Sequence, residues 1–144
     1  MRTLSIAAGL VLLVLTAGCG PSGPAMVPVS GVVTLDDNPV AGASVMFAPV
    51  SGGRPAEGVT DAAGKFSLMT EKPGDGALEG EYLVTVTGVR TVGAVVNPDG
   101  TSGDTSQVRE EWFLPKKYSR RDSSELRQMV AKGMSPVELK LSSK

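Results

Sequence analysis

Residues 29–47 read Val-Ser-Gly-Val-Val-Thr-Leu-Asp-Asp-Asn-Pro-Val-Ala-Gly-Ala-Ser-Val-Met-Phe, and they carry the clearest signal of the fold class. Apolar residues or glycine recur at every second position near its start and near its end. A period of two predicts β-strands that bury one face. Between the two runs lie Asp36, Pro39 and Gly42. Asp favours backbone turns, Pro has a preset φ and Gly can adopt a positive φ, so a β-hairpin is predicted.

A second turn and three further alternating runs extend this pattern. Asp61 can accept hydrogen bonds from backbone N–H groups downstream, and Gly64 can adopt the left-handed conformation before the next strand. These two residues predict a second hairpin. Alternation returns in three more runs: Phe66–Leu68, Tyr82–Val86 and Val137–Leu141. The five runs together predict an all-β fold of antiparallel strands with one buried face, hence a small sandwich or barrel.

The composition excludes several kinds of chemistry. The chain has 144 residues, one Cys and no His. Without His there is no Ser-His-Asp triad, imidazole metal site or histidine acid–base catalyst. A single Cys forms neither an internal disulfide nor a zinc ribbon. The formal net charge of −1 gives no electrostatic drive toward nucleic acid. The composition as a whole therefore predicts no metal, no cofactor and no nucleic-acid partner.

The N-terminal segment has the pattern of a signal peptide. Arg2 supplies a positive charge, and residues 4–15 form an uncharged, largely apolar run. About a dozen helical residues reach only ~18 Å of the ~30 Å hydrocarbon core, so a cleaved leader fits better than a membrane span. The following Leu15-Thr-Ala-Gly-Cys19 resembles the bacterial lipobox. Cleavage after Gly18 and lipidation of Cys19 are therefore predicted, and ordinary cleavage that leaves a free thiol is the alternative.

Three segments follow from these observations. Residues 1–18 are the predicted signal peptide, and residues 19–28 are a lipidated, flexible tether whose prolines and glycines prevent helix and ladder formation. Residues 29–144 form one domain, because the apolar content supports one modest core.

The alternating runs also carry a resemblance to a known family. Residues 29–47, Thr60-Asp-Ala-Ala-Gly-Lys-Phe66 and Gly80-Glu-Tyr-Leu-Val-Thr-Val86 resemble the carboxypeptidase regulatory-like family, over roughly residues 27–89. The C-terminal part is similar to small lipid-anchored bacterial members of this group. The resemblance implies a seven-stranded transthyretin-like (prealbumin-like) β-sandwich. It also implies a non-catalytic interaction or structural role, with no active site to carry over.

Two segments depart from regular strand patterns. Residues 90–111 contain a polar stretch without a period, which favours a mobile insertion because long loops in compact domains are usually functional or mobile. Residues 123–132 place apolar side chains at both helical and strand spacing. The family resemblance favours a strand that ends at Gly133.

One surface concentrates basic and aromatic side chains. Trp112 and Tyr118 can stack on a sugar, and the neighbouring cations can contact an acidic polymer or lipid headgroups. Alternatively, Trp112 or Phe113 completes the core and the cations are solvated on a loop. The cations are Lys116, Lys117, Arg120 and Arg121.

The remaining motifs for chemistry are weak. Residues 74–80 resemble a dinucleotide fingerprint, but the third glycine comes one residue late and a strand follows, so a turn is favoured. A weak calcium site at Asp36, Asp37 or Asp61 is a further alternative.

The sequence therefore predicts a lipid-anchored module of the bacterial cell envelope, facing the periplasm or attached to the outer membrane. It contacts the membrane through the lipid on Cys19, and its partner is an envelope protein or polysaccharide. A carbohydrate-binding module that uses Trp112 and Tyr118 is the alternative, and a carboxylate-dependent hydrolase is a distant third.

Overall fold

Short strands joined by turns and loops form the computed structural model, which describes residues 25–93, 97–101, 103 and 106–144. The one helical element among these residues is a short 3₁₀ helix at Lys116–Ser119. The strands are Met26–Val27 (β1), Ser30–Leu35 (β2), Asn38–Pro39 (β3), Ser44–Pro49 (β4), Ala56–Val59 (β5), Lys65–Ser67 (β6), Ala77–Leu78 (β7), Gly80–Thr87 (β8), Val89–Val92 (β9), Arg109–Trp112 (β10), Arg127–Val130 (β11) and Val137–Leu141 (β12). The predicted all-β class is confirmed.

Two larger sheets organise these strands. The first, called here the β4 sheet, has the order β11-β8-β4-β5, and all its pairs are antiparallel. The second, called here the β2 sheet, has β12 on one edge of β2 and both β3 and β6 on the other. Two further strand pairs, β1 with β7 and β9 with β10, lie beside them.

One strand pair corrects the sequence prediction of antiparallel strands. β12 runs parallel to β2, with Val137 opposite Gly31 and Leu141 opposite Leu35. An alternating run reports which face is buried and not in which direction its neighbour runs. Because most of the domain separates β2 from β12 along the chain, the connection is long enough to permit a parallel pair.

A single hydrophobic core lies between the β4 and β2 sheets, the arrangement of a β-sandwich. The Phe47 ring of the β4 sheet lies 6.3 Å from the Phe66 ring of the β2 sheet and 5.9 Å from the Tyr82 ring. The alternating runs supply the core as predicted, since their inward residues are buried: Val33, Val45, Phe47, Phe66, Leu68, Tyr82, Val84, Val86, Val137, Leu139 and Leu141.

Gly31 allows the aromatic core to approach the β2 backbone. It is paired with Phe66 across β2 and β6. A Cβ at this position would lie 2.7 Å from the Phe66 Cζ atom and would also meet the Val137 carbonyl oxygen. No side chain larger than hydrogen fits between the ring and β12 without displacement.

The first predicted hairpin is present, but it joins different strands. Asp36 and Asp37 form its two-residue turn with φ of 47° and 66°, and the turn connects β2 to β3. The chain then passes Gly42, at φ 70°, and β4 enters the other sheet. Pro39 lies in β3 opposite Thr34. The turn residues were predicted correctly, whereas the pairing of the two long runs with each other was wrong.

The second turn has the predicted chemistry and a similar change of sheet. The Asp61 carboxylate accepts hydrogen bonds from the N–H groups of Ala63 (2.8 Å) and Lys65 (2.9 Å). Gly64 has φ 74°. The flanking strands β5 and β6 belong to different sheets. Beyond β6, Met69 forms an isolated bridge with Glu57 of β5. The turn therefore closes one end of the sandwich.

The start of the domain lies before the predicted boundary at residue 29. Met26 and Val27 pair with Leu78 and Ala77, and Val27 is buried. The end of the predicted tether is thus part of the fold. Pro24 and Pro28 stand on either side of Met26–Val27 in the sequence and do not interrupt this short strand. The predicted signal peptide, the cleavage position Gly18 and the lipidation site Cys19 lie outside the described residues. Within the described part of the chain, no helix is long and apolar enough to cross a membrane.

The two irregular segments are partly strands. The predicted mobile insertion at 90–111 begins and ends in the β9–β10 ladder, which runs from Val89 opposite Trp112 to Val92 opposite Arg109. Its residues 94–96, 102, 104 and 105 lie outside the described residues. In the second segment the strand prediction is confirmed, and β11 ends at Val130, three residues before Gly133.

Candidate functional site

The outward face of the β4 sheet carries a groove of about 610 Å³. Its floor is two rows of outward-facing residues, one across Val59, Ser44 and Thr87 and the next across Glu57, Met46 and Thr85. One wall lies beyond β5. The other is formed by the end of the 3₁₀ helix, which packs on β8, and by the residues that follow it. We call this the outer groove; its wall residues are Met69, Pro73, Gly74, Ser119 and Arg121.

The outer groove is largely apolar and open to solvent. Val59 is 63% exposed and Met69 is 49% exposed, although both are apolar. Ser44 and Thr87 add hydroxyl groups to the floor. Glu57 and Arg121 are the charged residues in this lining. An exposed apolar surface with a few polar groups at its border is typical of a binding surface.

A rigid loop forms the wall on the β5 side. The Asp75 carboxylate accepts hydrogen bonds from the N–H groups of Thr70 (2.7 Å), Lys72 (2.9 Å) and Glu71 (3.0 Å). The Thr70 hydroxyl donates to the Gly76 carbonyl at 2.7 Å. These bonds to the charged carboxylate, led by that from Thr70, lower the pKa of Asp75. Asp75 therefore fixes the backbone that carries Pro73 and Gly74 to the groove.

A hydrogen bond to β8 and an ion pair within the segment hold the wall on the β8 side. The buried Ser124 hydroxyl donates to the Val84 carbonyl of β8. The Arg120 guanidinium contacts the Asp122 carboxylate at 3.1 and 2.9 Å. This two-point contact lowers the pKa of Asp122. Arg121, in contrast, forms no ion pair with a described residue and lines the outer groove.

The basic and aromatic residues predicted from the sequence as a binding surface include two cation–aromatic pairs. The Lys116 ammonium lies 5.0 Å from the centre of the Trp112 ring, and the Lys117 ammonium lies 4.9 Å from that of Tyr118. These cations each cover an aromatic face. Arg120 is paired with Asp122, and of the predicted cations only Arg121 lines the outer groove among the described residues.

Tyr118 is engaged within the fold. Its ring is partly buried against the core, and its hydroxyl accepts a hydrogen bond from the Ser142 N–H at 2.9 Å. Phe113 also packs against the core, while Trp112 remains 37% exposed. Of the two rings, Trp112 is therefore the more open to solvent.

Two of the three turn carboxylates considered for calcium, Asp36 and Asp61, have other contacts. Asp61 binds backbone N–H groups of its own turn, and the Asp36 carboxylate accepts from the Ser143 N–H at 3.2 Å. Across the described ranges, no cluster of three or more Asp, Glu, Cys or His residues is placed to hold a metal ion.

Sequence reasoning missed the outer groove. The sequence of β4 contains one indication of this groove, because Val45, Met46 and Phe47 are consecutive apolar residues. Val45 and Phe47 are buried in the core, so the intervening Met46 must face outward. An apolar residue on the outward side of an alternating strand indicates a second apolar face. Val59 and Met69 join Met46 only in the folded chain.

Comparison with known proteins gives no family assignment. No family model, no curated protein and no solved structure matches the chain. The function is therefore inferred from the outer groove and the sequence.

Proposed function

We propose that this protein is a non-catalytic, lipid-anchored module of the bacterial envelope that binds a polypeptide partner in the outer groove. The body is a transthyretin-like β-sandwich of the carboxypeptidase regulatory-like kind. Support for this finer assignment comes from the resemblance of residues 29–47, 60–66 and 80–86. The two sheets that face each other across one core are compatible with it.

The carrying observation is the lining of the outer groove. Met46 of β4, Val59 of β5 and Met69 of the adjoining wall offer apolar contacts. Arg121 offers a guanidinium on the β8 side. An extended peptide with apolar side chains and a carboxylate near Arg121 matches this surface in shape and charge. A peptide is favoured over a sugar because most of the surface that lines the groove is apolar.

The lipid anchor is proposed from the N-terminal sequence. Leu15-Thr-Ala-Gly-Cys19 supplies the small residues and the sulfur that lipidation requires. A thioether-linked lipid on Cys19 would hold the domain at a membrane surface through a short linker. A Cys19→Ala variant is expected to lose labelled fatty acid and to leave the membrane fraction or accumulate as precursor. Unchanged fractionation, with no label on the wild type, would contradict the anchor.

A photo-crosslinking experiment in intact envelopes tests the outer groove. A benzophenone amino acid at Val59, which lines the groove, is compared with the same residue at Val50, which is 54% exposed and lies outside the groove. We expect a defined crosslinked protein from position 59 and not from position 50. The crosslinked segment is then identified and synthesised as a peptide. Equal crosslinking from both positions would argue against the groove.

Titration with that peptide tests the role of Arg121. Replacing a charged hydrogen-bonding partner costs ~1.5–3 kcal/mol, so Arg121→Gln should weaken peptide binding by at least about tenfold. The matched control is Arg127→Gln, which removes an exposed guanidinium that is paired with Glu81 and lies outside the groove lining. We expect the control to bind within about twofold of the wild type. Equal effects of the two substitutions would refute a specific contact at Arg121.

A further inference from the structure

β12 is an edge strand of the β2 sheet, and its backbone has a defined outward side. Within the described residues it pairs only with β2. The Asp36 N–H donates to the Leu141 carbonyl at 3.0 Å, so the backbone groups of Leu141 face β2. The backbone N–H and C=O groups of successive residues point to opposite sides of a strand, so those of Leu139 and Val137 also face β2. The N–H and C=O groups of Glu138 and Lys140 therefore face away from the sheet.

The side chains of β12 follow the same alternation. Val137, Leu139 and Leu141 are buried in the core. The side chains of Glu138 and Lys140 are 74% and 71% exposed, and their charged atoms are 3.7 Å apart. Proteins commonly protect an edge strand with a bulge, a proline or charges that repel another strand. β12 has five regular residues, and its two exposed charges have opposite sign.

We propose that β12 pairs antiparallel with β12 of a second copy of this chain, about a two-fold axis at Leu139. In this register the outward backbone groups of Glu138 meet those of Lys140 in the second copy, and Lys140 meets Glu138. Four backbone hydrogen bonds form around the Leu139 pair. The same register places each carboxylate opposite an ammonium, which is a favourable cross-strand pair. The interface is self-complementary, as two-fold symmetry requires.

Other registers are less favourable. An antiparallel pair centred on Glu138 or on Lys140 places like charges opposite each other, and centring on Glu138 also brings in Pro136, which has no N–H. A shift of the register by one residue places the outward backbone N–H and C=O groups of one strand opposite residues whose own groups face β2, so the hydrogen bonds are lost. The Leu139 register alone satisfies both the backbone and the charges. The outer groove, on the other sheet, stays open in this dimer.

The strength of self-association can be measured by sedimentation of the purified full chain in mild detergent. One strand pair buries less than the ~1,200 Å² of a standard interface, so the series should extend to about 1 mM. We expect a reversible dimer, with slower hydrogen exchange at the Glu138 and Lys140 amides as concentration rises. A monomer throughout this range, with unchanged exchange at those amides, would overturn the proposal.

Charge exchange gives a matched set of variants. Glu138→Lys and Lys140→Glu each place like charges opposite each other, so each alone should weaken dimerisation by about tenfold or more. An equimolar mixture of the two variants should dimerise, because every Lys then faces a Glu, and the double variant Glu138→Lys/Lys140→Glu should regain wild-type association. Single variants that associate like the wild type, or a mixture that stays monomeric, would refute the register. Circular dichroism checks that each variant is folded.

Discussion

Replacing Asp37 with glycine is expected to stabilise the protein. Asp37 is the second residue of the two-residue turn between β2 and β3 and has φ 66°. Turns of this kind need a positive φ at both central positions, which glycine adopts without steric cost. The Asp37 side chain is exposed and forms no hydrogen bond to a described side chain or backbone group. The substitution therefore relieves the backbone and removes no stabilising contact.

The expected gain follows from two opposing terms. The left-handed conformation costs an L-residue ~1–2 kcal/mol, with Asp toward the lower end. Glycine gives back ~0.5–1 kcal/mol through its greater freedom in the unfolded chain. The net stabilisation is about 0.5 kcal/mol, which for a domain of this size raises the melting temperature by roughly 2–3 °C.

Thermal unfolding followed by circular dichroism at pH 7 measures this gain. The control Asp36→Gly relieves a similar conformation at φ 47°, but it loses the hydrogen bond from Ser143, so its gain should be smaller. Gly42→Ala introduces a Cβ at φ 70° and should lower stability by about 1 kcal/mol. A melting temperature for Asp37→Gly at or below that of the wild type would refute the reasoning.

Three further predictions concern the core and the groove walls. Tyr118→Phe removes the acceptor of the Ser142 N–H and should lower the free energy of unfolding in urea by ~0.5–1.5 kcal/mol. Gly31→Ala overfills the core and should cost ~1–3 kcal/mol in the same assay; no change in the urea midpoint would contradict the close packing. The Thr70 amide shift should titrate below ~3.9, the ordinary pKa of Asp, because hydrogen bonds lower the pKa of Asp75. The stabilising effect of the ionised Asp75 carboxylate is present above this ordinary pKa and is lost as the pH falls through the folded-state pKa of Asp75.

The local features of the fold were predictable from the sequence. The alternating run at 137–141 became a strand with its apolar residues buried. The turn at Asp61 and Gly64 has the predicted hydrogen bonds and positive φ. These features depend on neighbouring residues alone, since the strand period and turn conformation are set within a few residues.

The candidate site was only partly predictable. The cations from Lys116 to Arg121 were recognised as a group, but they face different neighbours in the folded chain. Arg121 reaches the outer groove because the 3₁₀ helix, which ends two residues before it, packs on β8. Met46, Val59 and Met69 come from three separate segments, and no local pattern relates them.

The positions of the main strands and turns, and the apolar faces of those strands, follow from the amino-acid sequence. Three features emerge only in the folded chain: β12 runs parallel to β2, consecutive strands change sheet, and an apolar groove opens on the β4 sheet. The physical reason is that side-chain alternation records burial, whereas strand direction and neighbour depend on contacts such as that of Gly31 with Val137, residues at opposite ends of the domain.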